Sequence, residues 1–329
     1  MCMSRKSELM ALGQDIIVAL IVVAIVLGSL YVYGGRWPPM VVVESESMQH
    51  ANDLSYIHVI DTGDLTLVRT LEKAGSPTTW VEGRESGYRT YSEFGDVIIY
   101  HKNGLTQTTP IIHRAIVRIV YNATTGGGFD VPSLPEPRWN VKDRFTITDF
   151  HSYHSGRMET IDLVINVTVI LNNMRAAGND FHGGIITKGD HNREVDQYSL
   201  PAWTGTGPPP ADTSRLVEPV QEGWIVGVAR GEIPWFGLIK LWARGQTQQN
   251  PPPTNSGPDL IISVVLLLVV PFMAESVIIE YKAMHPKEEE EEDKGRRRRR
   301  RGGEEEPPRE GAITFIYKTL RNAFTGKID

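Results

Sequence analysis

Two serines spaced two residues apart follow a short β-branched run near the start of the chain. Residues 41–43 are valines that predict a strand, and such a strand could bring Ser47, with Ser45 just before it, to the edge of a sheet. Farther along, His113 lies in a second β-branched segment, and residues 187–196 carry two aspartates. Serine, histidine and aspartate in this order indicate acyl-transfer chemistry, in which an imidazole takes the hydroxyl proton and a carboxylate orients the imidazole.

Histidine suits the role of general base because the usual pKa of its side chain, about 6.5, lies near neutral pH. His113 is the leading candidate for this role, although a single histidine is more often a structural residue than a catalyst. The other histidines between the two apolar runs of the chain fall mostly in predicted loops or at strand ends: His50, His58, His101, His151, His154, His182 and His191.

Two apolar runs are long enough to cross a bilayer, which takes about 20 residues. Residues 16–33 are uncharged and predict a transmembrane signal anchor; a cleaved signal peptide is the alternative, but no convincing cleavage motif follows. Residues 259–280 predict a second transmembrane helix. A kinked interfacial helix is the alternative there, because Pro271 and Glu275 interrupt the run.

Basic residues close to the second run indicate the topology. The tail at 281–329 is highly charged and contains an arginine run at 296–301. A basic excess beside a span marks the cytoplasmic side. We therefore expect a multi-pass protein of the cell membrane, with residues 1–15 and the tail in the cytoplasm and residues 34–258 outside it.

Charge and cysteine content narrow the function classes. The net charge of −6 gives no indication of a nucleic-acid partner. The only cysteine, Cys2, is cytoplasmic in this topology, so we expect no disulfide in the outer domain. Sequons at Asn122 and Asn166 fit glycan attachment outside the cytosol, although such tripeptides are common by chance.

Short β-rich segments recur through the outer region, so we expect a mainly β fold in which an antiparallel β domain is flanked by transmembrane helices. Gly-Asp turns at Gly63 and Gly95 each precede an apolar run. Residues 72–92 are polar and predict a surface loop, and glycines and prolines at 122–140 predict an irregular excursion. Strands are predicted at 40–44, 65–68, 96–100, 110–121, 161–171, 183–187 and 224–229.

The candidate catalytic residues and the Gly-Asp turns together resemble those of the type I signal peptidases. The resemblance is strongest to the archaeal and endoplasmic-reticulum branch, in which histidine is the base. Each matching block alone is weak, and their common order carries the resemblance. The blocks are Ser45-Glu46-Ser47-Met48, Gly63-Asp64-Leu65, residues 95–114, residues 187–196 and residues 227–237.

The sequence also departs from this family in four places. His50 stands where relatives usually have proline. His191 follows Asp190, the first acid of its block, at a position where relatives usually have asparagine. Residues 72–92 and 122–182 look like insertions that the resemblance does not cover, and the sequence assigns no function to them. These departures affect the expected loop conformations more than the expected chemistry.

The resemblance implies roles for five residues of the site. Ser47 is the nucleophile, His113 is the general base and then the general acid, and Asp196 orients the imidazole. Asp190 is the supporting acid or the alternative third member, because both aspartates lie on one loop and spacing does not separate them. The backbone N–H of Ser47 and the hydroxyl of Ser45 would hold the oxyanion, unless Ser45 is an ordinary surface residue.

The function implied by the resemblance is that of a membrane-bound serine endopeptidase, which removes signal peptides from translocated preproteins through an acyl-enzyme and needs neither a metal nor another cofactor. Its expected partners are secretory preproteins with small residues before the cleavage site, the lipid bilayer and the protein translocation machinery, and not nucleic acid. Two alternatives stay open: a membrane-anchored β-domain binding or scaffold protein, and a related serine hydrolase that processes non-secretory precursors.

Overall fold

The computed structural model describes residues 5–124, 126–198 and 215–284 of the chain. Its helices are α1 (Arg5–Gly34), α2 (Leu71–Ala74), α3 (Trp80–Ser86), α4 (Val167–Ala177), α5 (Leu238–Ala243) and α6 (Ser256–Met284). Its strands are β1 (Met40–Val42), β2 (Leu65–Arg69), β3 (Arg89–Thr90), β4 (Glu93–Phe94), β5 (Val97–Tyr100), β6 (Ile111–Asn122), β7 (Gly128–Val131), β8 (Arg138–Val141), β9 (Arg144–Ser152), β10 (Glu159–Asn166), β11 (Gly184–Lys188) and β12 (Ile225–Ile233). Most of the predicted charged tail, from residue 285 onward, lies outside the described residues.

Two long helices carry the apolar runs of the sequence. Their candidate spans are Ile16–Gly34 in α1 and Ser256–Tyr281 in α6, close to the predicted limits of 16–33 and 259–280. The apolar side chains along both spans are largely exposed. Helices of this length and surface are stable in a hydrocarbon environment, which indicates association with a membrane.

Contacts divide the chain into two compact units, residues 1–263 and residues 264–329. The first unit contains α1, all of the strands and the first residues of α6. The described part of the second unit is the remainder of α6, which includes Pro271. All of the residues predicted to carry chemistry therefore lie in the first unit.

An eight-stranded antiparallel sheet forms the centre of the first unit. Its order is β1-β2-β12-β5-β6-β7-β8, and β11 pairs with β6 beside this path. The twelve-residue β6 is the longest strand and pairs with β5, β7 and β11. Two smaller antiparallel sheets consist of β9 with β10 and of β3 with β4.

The antiparallel sheets and the two apolar helices agree with the predicted architecture, but a mainly β class is not confirmed. Across the described residues, helices contain more residues than strands because α1 and α6 are long. Strands predominate only between these two helices. The described chain is therefore a mixed α/β structure with antiparallel sheets.

Residues 72–92 are not the surface loop that their polarity predicted. Helix α3 begins after Thr79, whose hydroxyl accepts a hydrogen bond from the backbone N–H of Glu82, while the Glu82 carboxylate accepts from the Thr79 N–H at 2.7 Å. This capping box was visible in the sequence as Thr79-x-x-Glu82. Trp80 and Val81 then pack in the largest core cluster.

Residues 122–182 are also more regular than expected. The Gly- and Pro-rich part contains β7 and β8, and the strand predicted at 161–171 ends at Asn166, where α4 begins. The Asn166 side chain accepts a hydrogen bond from the Val169 N–H at 3.2 Å, which caps the helix. Ile170 and Met174 on α4 are buried in the largest core cluster, so tertiary packing overrides the strand propensity of this β-branched sequence.

The two Gly-Asp turns lie where the sequence placed them. Gly63 and Gly95 have φ angles of 98° and 72°, a backbone region in which side chains are strained, and each turn leads directly into a strand. Asp96 accepts hydrogen bonds from the Thr78 N–H at 2.9 Å and from Arg230 at 2.7 Å. The second turn therefore connects β5 to the segment before α3 and to β12.

Three carboxyl groups are close together behind the segment that follows β1. Burial raises the pKa of Asp61 to about 7, of Asp64 to about 6 and of Glu232 to about 8. The Asp64 carbonyl accepts a hydrogen bond from the Val43 N–H at 2.9 Å, so this acidic cluster lies directly beside the chain that leads to Ser47. The protein buries these groups most easily in their protonated form.

We predict that stability falls between pH 5 and pH 8, because these carboxyls have higher pKa values in the folded than in the unfolded chain and the unfolded chain ionises first. Asp61→Asn should reduce this loss, because the amide does not ionise and removes one of the three raised pKa values. Each unit by which a carboxyl pKa is raised corresponds to about 1.4 kcal/mol of unfolding free energy. Thermal unfolding in detergent at both pH values measures the effect. The control is Asp162→Asn on the exposed face of β10; equal pH dependence of the wild type and Asp61→Asn would contradict the prediction.

Candidate active site

The segment after β1 forms a turn rather than a continued strand, and this turn carries both serines. The Gln49 N–H donates to the Glu46 carbonyl at 3.1 Å, and the Ser47 carbonyl accepts from the His191 N–H at 2.9 Å. The Met48 side chain is buried beneath the turn. Ser47 is thus fixed through its own backbone while its hydroxyl stays accessible.

The structure brings Ser47, His113 and Asp196 into one hydrogen-bonded line. His113 Nε2 lies 2.9 Å from Ser47 Oγ, and His113 Nδ1 lies 2.7 Å from Asp196 Oδ2. In the tautomer protonated on Nδ1, the imidazole donates to Asp196 and accepts from the Ser47 hydroxyl. This is the geometry that a serine nucleophile needs for transfer of its proton to a base.

Asp196 is held by two donors that the sequence reasoning missed. Its Oδ2 accepts hydrogen bonds from the Tyr100 hydroxyl at 2.9 Å and from the Thr187 hydroxyl at 2.6 Å. Burial and the nearby Asp196 charge raise the pKa of Tyr100 well above its usual value, so the phenol stays a donor. Tyr100 ends β5 and Thr187 lies on β11, and both lie within blocks that the sequence had already singled out.

Asp190 is not in contact with His113 and makes a separate buried network. Arg114 donates to Asp190 through Nε at 2.8 Å and through Nη2 at 2.6 Å, and His50 Nε2 lies 2.9 Å from the same carboxylate. Burial disfavours the charged carboxylate, but the Arg114 charge and hydrogen bonds outweigh this effect and hold the pKa of Asp190 below its usual range. The geometry therefore separates the two aspartates that spacing left equivalent: Asp196 faces the imidazole and Asp190 supports the surrounding structure.

Lys188, at the start of this loop, is a second side chain that could act as a base. Burial lowers its pKa to about 8, which is a favourable value for a base. Its ammonium group donates to the carbonyls of Gly189 and Asp190 and lies 5.4 Å from the centre of the Phe150 ring. Since His113, and not Lys188, is hydrogen-bonded to Ser47, the imidazole is the base that this geometry favours.

Both unusual histidines have specific contacts in the structure. The His50 ring stacks on the Tyr153 ring with centroids 3.6 Å apart, in addition to its contact with Asp190. The His191 backbone holds the Ser47 carbonyl, as described above. Tyr153 follows β9, so a segment outside the matching blocks packs directly against the residues that follow Ser47.

Ser45 lies beside Ser47 and is exposed. Its hydroxyl oxygen is 3.1 Å from Ser47 Oγ. A cavity of about 440 Å³ opens at this point, between the segment after β1 and the start of β6. Its lining residues are Val42, Val43, Glu44, Ser45, Ser47, Thr109, Pro110, Ile111, Ile112, His113, Asn192, Gln246, Gln249 and Asn250.

Comparisons with known proteins add no further identification. No protein-family model matches the chain, and no curated protein matches its sequence.

Within the part of the chain that the structure describes, no group of three histidine, cysteine, aspartate or glutamate side chains could hold a metal ion.

We predict that Asp190→Asn destabilises the protein by about 3 kcal/mol, because Arg114 would keep its buried charge without an anionic partner. Asp196→Asn should change stability much less, since the hydrogen-bond partners of Asp196 are uncharged hydroxyls and a histidine. Thermal unfolding of both variants in the same detergent compares them. Equal losses of stability would contradict the supporting role of Asp190.

Proposed function

We propose that this chain is a membrane-bound serine endopeptidase, similar to the type I signal peptidases that use a histidine base, and that it removes signal peptides from translocated preproteins. The observation that supports this most is the hydrogen-bonded line from Ser47 through His113 to Asp196 at the edge of an open cavity. The match of the sequence blocks to that family gives the substrate class.

In this mechanism the Ser47 oxygen attacks the carbonyl carbon of the scissile peptide while its proton passes to His113 Nε2. Asp196 stabilises the imidazolium. The peptide C–N bond then breaks, and the imidazolium gives its proton to the departing amine. Water then attacks the acyl-enzyme carbonyl while His113 takes its proton. The ester bond to Ser47 breaks, the imidazolium returns the proton to the Ser47 oxygen, and the carboxylic acid product is released.

The negative oxygen of each tetrahedral intermediate needs donors that are already in place. The Ser47 N–H and the Ser45 hydroxyl serve this role in the proposal, which the short distance between the two serine oxygens supports. Because Ser45 is exposed in the absence of a peptide, substrate binding would exclude water from its hydroxyl. This contribution would then be larger in the occupied cavity than in the free enzyme.

An extended peptide fits the position of β1 in the sheet. β1 pairs with β2 on one side and stands at the end of the sheet path, so its other edge can accept a substrate strand. Val42 and Ile112 on either side of the cavity would contact substrate side chains. The apolar segment of a signal peptide would lie in the bilayer beside the two candidate spans.

The proposed location is the cell membrane, with two spans and the sheet on the extracytoplasmic side. The apolar surfaces of α1 and α6 support membrane attachment, and the basic residues of the C-terminal tail support the orientation. Secretory preproteins and the translocation machinery are the partners that follow from this location.

We predict that Ser47→Ala and His113→Ala each reduce preprotein cleavage by at least about 10³-fold in liposomes, because the nucleophile and its base act as one unit. Ser45→Ala should lower kcat by about 10²-fold if its hydroxyl holds the oxyanion. Ser155→Ala is the matched control, since this exposed serine donates to Glu159 outside the cavity. Wild-type cleavage by Ser47→Ala would instead support a binding or scaffold function.

A second prediction concerns the residues that precede the cleaved bond. A preprotein with alanine at the first and third positions before the bond should be cleaved with a kcat/KM more than about tenfold above that of a variant with leucine at both. The same assay on the wild-type enzyme measures both substrates. Equal cleavage would favour a serine hydrolase that processes other precursors.

A further inference from the structure

Large apolar side chains are exposed in a loop outside the candidate active site. The loop covers residues 52–58, between the nucleophile turn and the buried Val59. Leu54, Tyr56 and Ile57 are 41%, 49% and 62% exposed. Apolar side chains grouped on a surface usually mark a contact with a partner or with lipid.

Hydrogen bonds fix this loop to the residues immediately before α6. The Ser55 N–H donates to Asn255 Oδ1 at 2.6 Å, and Asn255 Nδ2 donates back to the Ser55 carbonyl at 3.2 Å. The Thr254 hydroxyl donates to the Asp53 carbonyl at 2.6 Å. Because these partners precede the candidate span at Ser256 by one or two residues, the loop lies at the level where that span begins.

Helix α5 places two more exposed apolar side chains close to the same point. The Trp242 ring lies against the first turn of α6, where a side chain at Gly257 would meet it at 3.7 Å. Trp242 is 47% exposed, and Ile239, one turn earlier on the same face, is 55% exposed. Trp235, just before α5, donates from Nε1 to Ser55 Oγ at 2.9 Å and so joins the loop to this segment.

We propose that Leu54, Tyr56, Ile57, Ile239 and Trp242 form an interfacial surface that inserts into the bilayer around the first turn of α6. Lipid is the occupant that the placement favours, because these side chains surround the beginning of a candidate span and lipid at that level would contact them directly. Tyrosine and tryptophan are also the aromatic residues enriched where membrane meets water.

This surface would fix the height of the catalytic turn above the membrane. The loop begins five residues after Ser47, and its anchor at Asn255 joins it to the span. Insertion of the loop would therefore hold the cavity close to the bilayer surface through an attachment separate from that of α1. The inference concerns lipid contact only and does not depend on peptidase activity.

The test uses the full chain with a single reporter cysteine. Cys2→Ser removes the only cysteine, and Ile57→Cys then allows labelling with the environment-sensitive fluorophore NBD. The protein is reconstituted into phosphatidylcholine vesicles with and without a doxyl-labelled lipid that quenches fluorescence within the bilayer. The control is Trp139→Cys, since Trp139 is 66% exposed on β8 at the opposite end of the sheet path from β1.

We expect loss of NBD emission with doxyl lipid and protection from aqueous iodide at position 57, with the reverse pattern at position 139. Protection from iodide without doxyl quenching would show that protein covers the surface and would overturn the proposal. Iodide quenching at position 57, or equal doxyl quenching at both positions, would overturn it as well. Leu54→Cys repeats the measurement at a second site in case Ile57→Cys fails to fold.

Discussion

The buried ion pair of Arg114 and Asp190 is the interaction on which the geometry of the site depends. Arg114 follows the candidate base His113 on β6, and Asp190 precedes the residue whose N–H holds the Ser47 carbonyl. One ion pair therefore joins the strand that carries His113 to the turn that carries Ser47. Arg114 also donates to the carbonyls of three residues before β5, so its desolvated charge is well satisfied.

The segments outside the matching blocks are part of the structure that supports this pair. Residues 80–81 and 129–174 supply most of the largest core cluster, which also contains the middle of β6. Tyr153 stacks on His50 and donates its N–H to the Asp190 carbonyl at 3.1 Å. A histidine at position 50 thus has an aromatic partner in Tyr153 and a hydrogen-bond partner in Asp190, and a proline there could not make this hydrogen bond.

Hydrogen bonds tie the same unit to one end of each candidate span. The Thr70 N–H donates to the Gly34 carbonyl at 2.9 Å, which ties the end of α1 to the residue after β2, and Arg69 lies over the Tyr33 ring. The loop at 52–58 is tied to the residues before α6. If both helices span a bilayer, the turn that carries Ser47 belongs to a unit with two fixed attachments and has little freedom to move away from the surface.

The sequence by itself determined the parts that depend on local chemistry: the two long apolar helices, the Gly-Asp turns before β2 and β5, and the strands β1, β2, β5, β6, β11 and β12. It also singled out Ser47 and His113 as the candidate nucleophile and base. It did not determine α3 or α4, because a polar or β-branched segment becomes helical only when a cap and a core contact stabilise it together. The tertiary structure alone decided that Asp196 faces His113. Both aspartates lie on one loop, and only the pairing of β11 with β6, together with donors from Tyr100 and Thr187, fixes which carboxylate meets the imidazole.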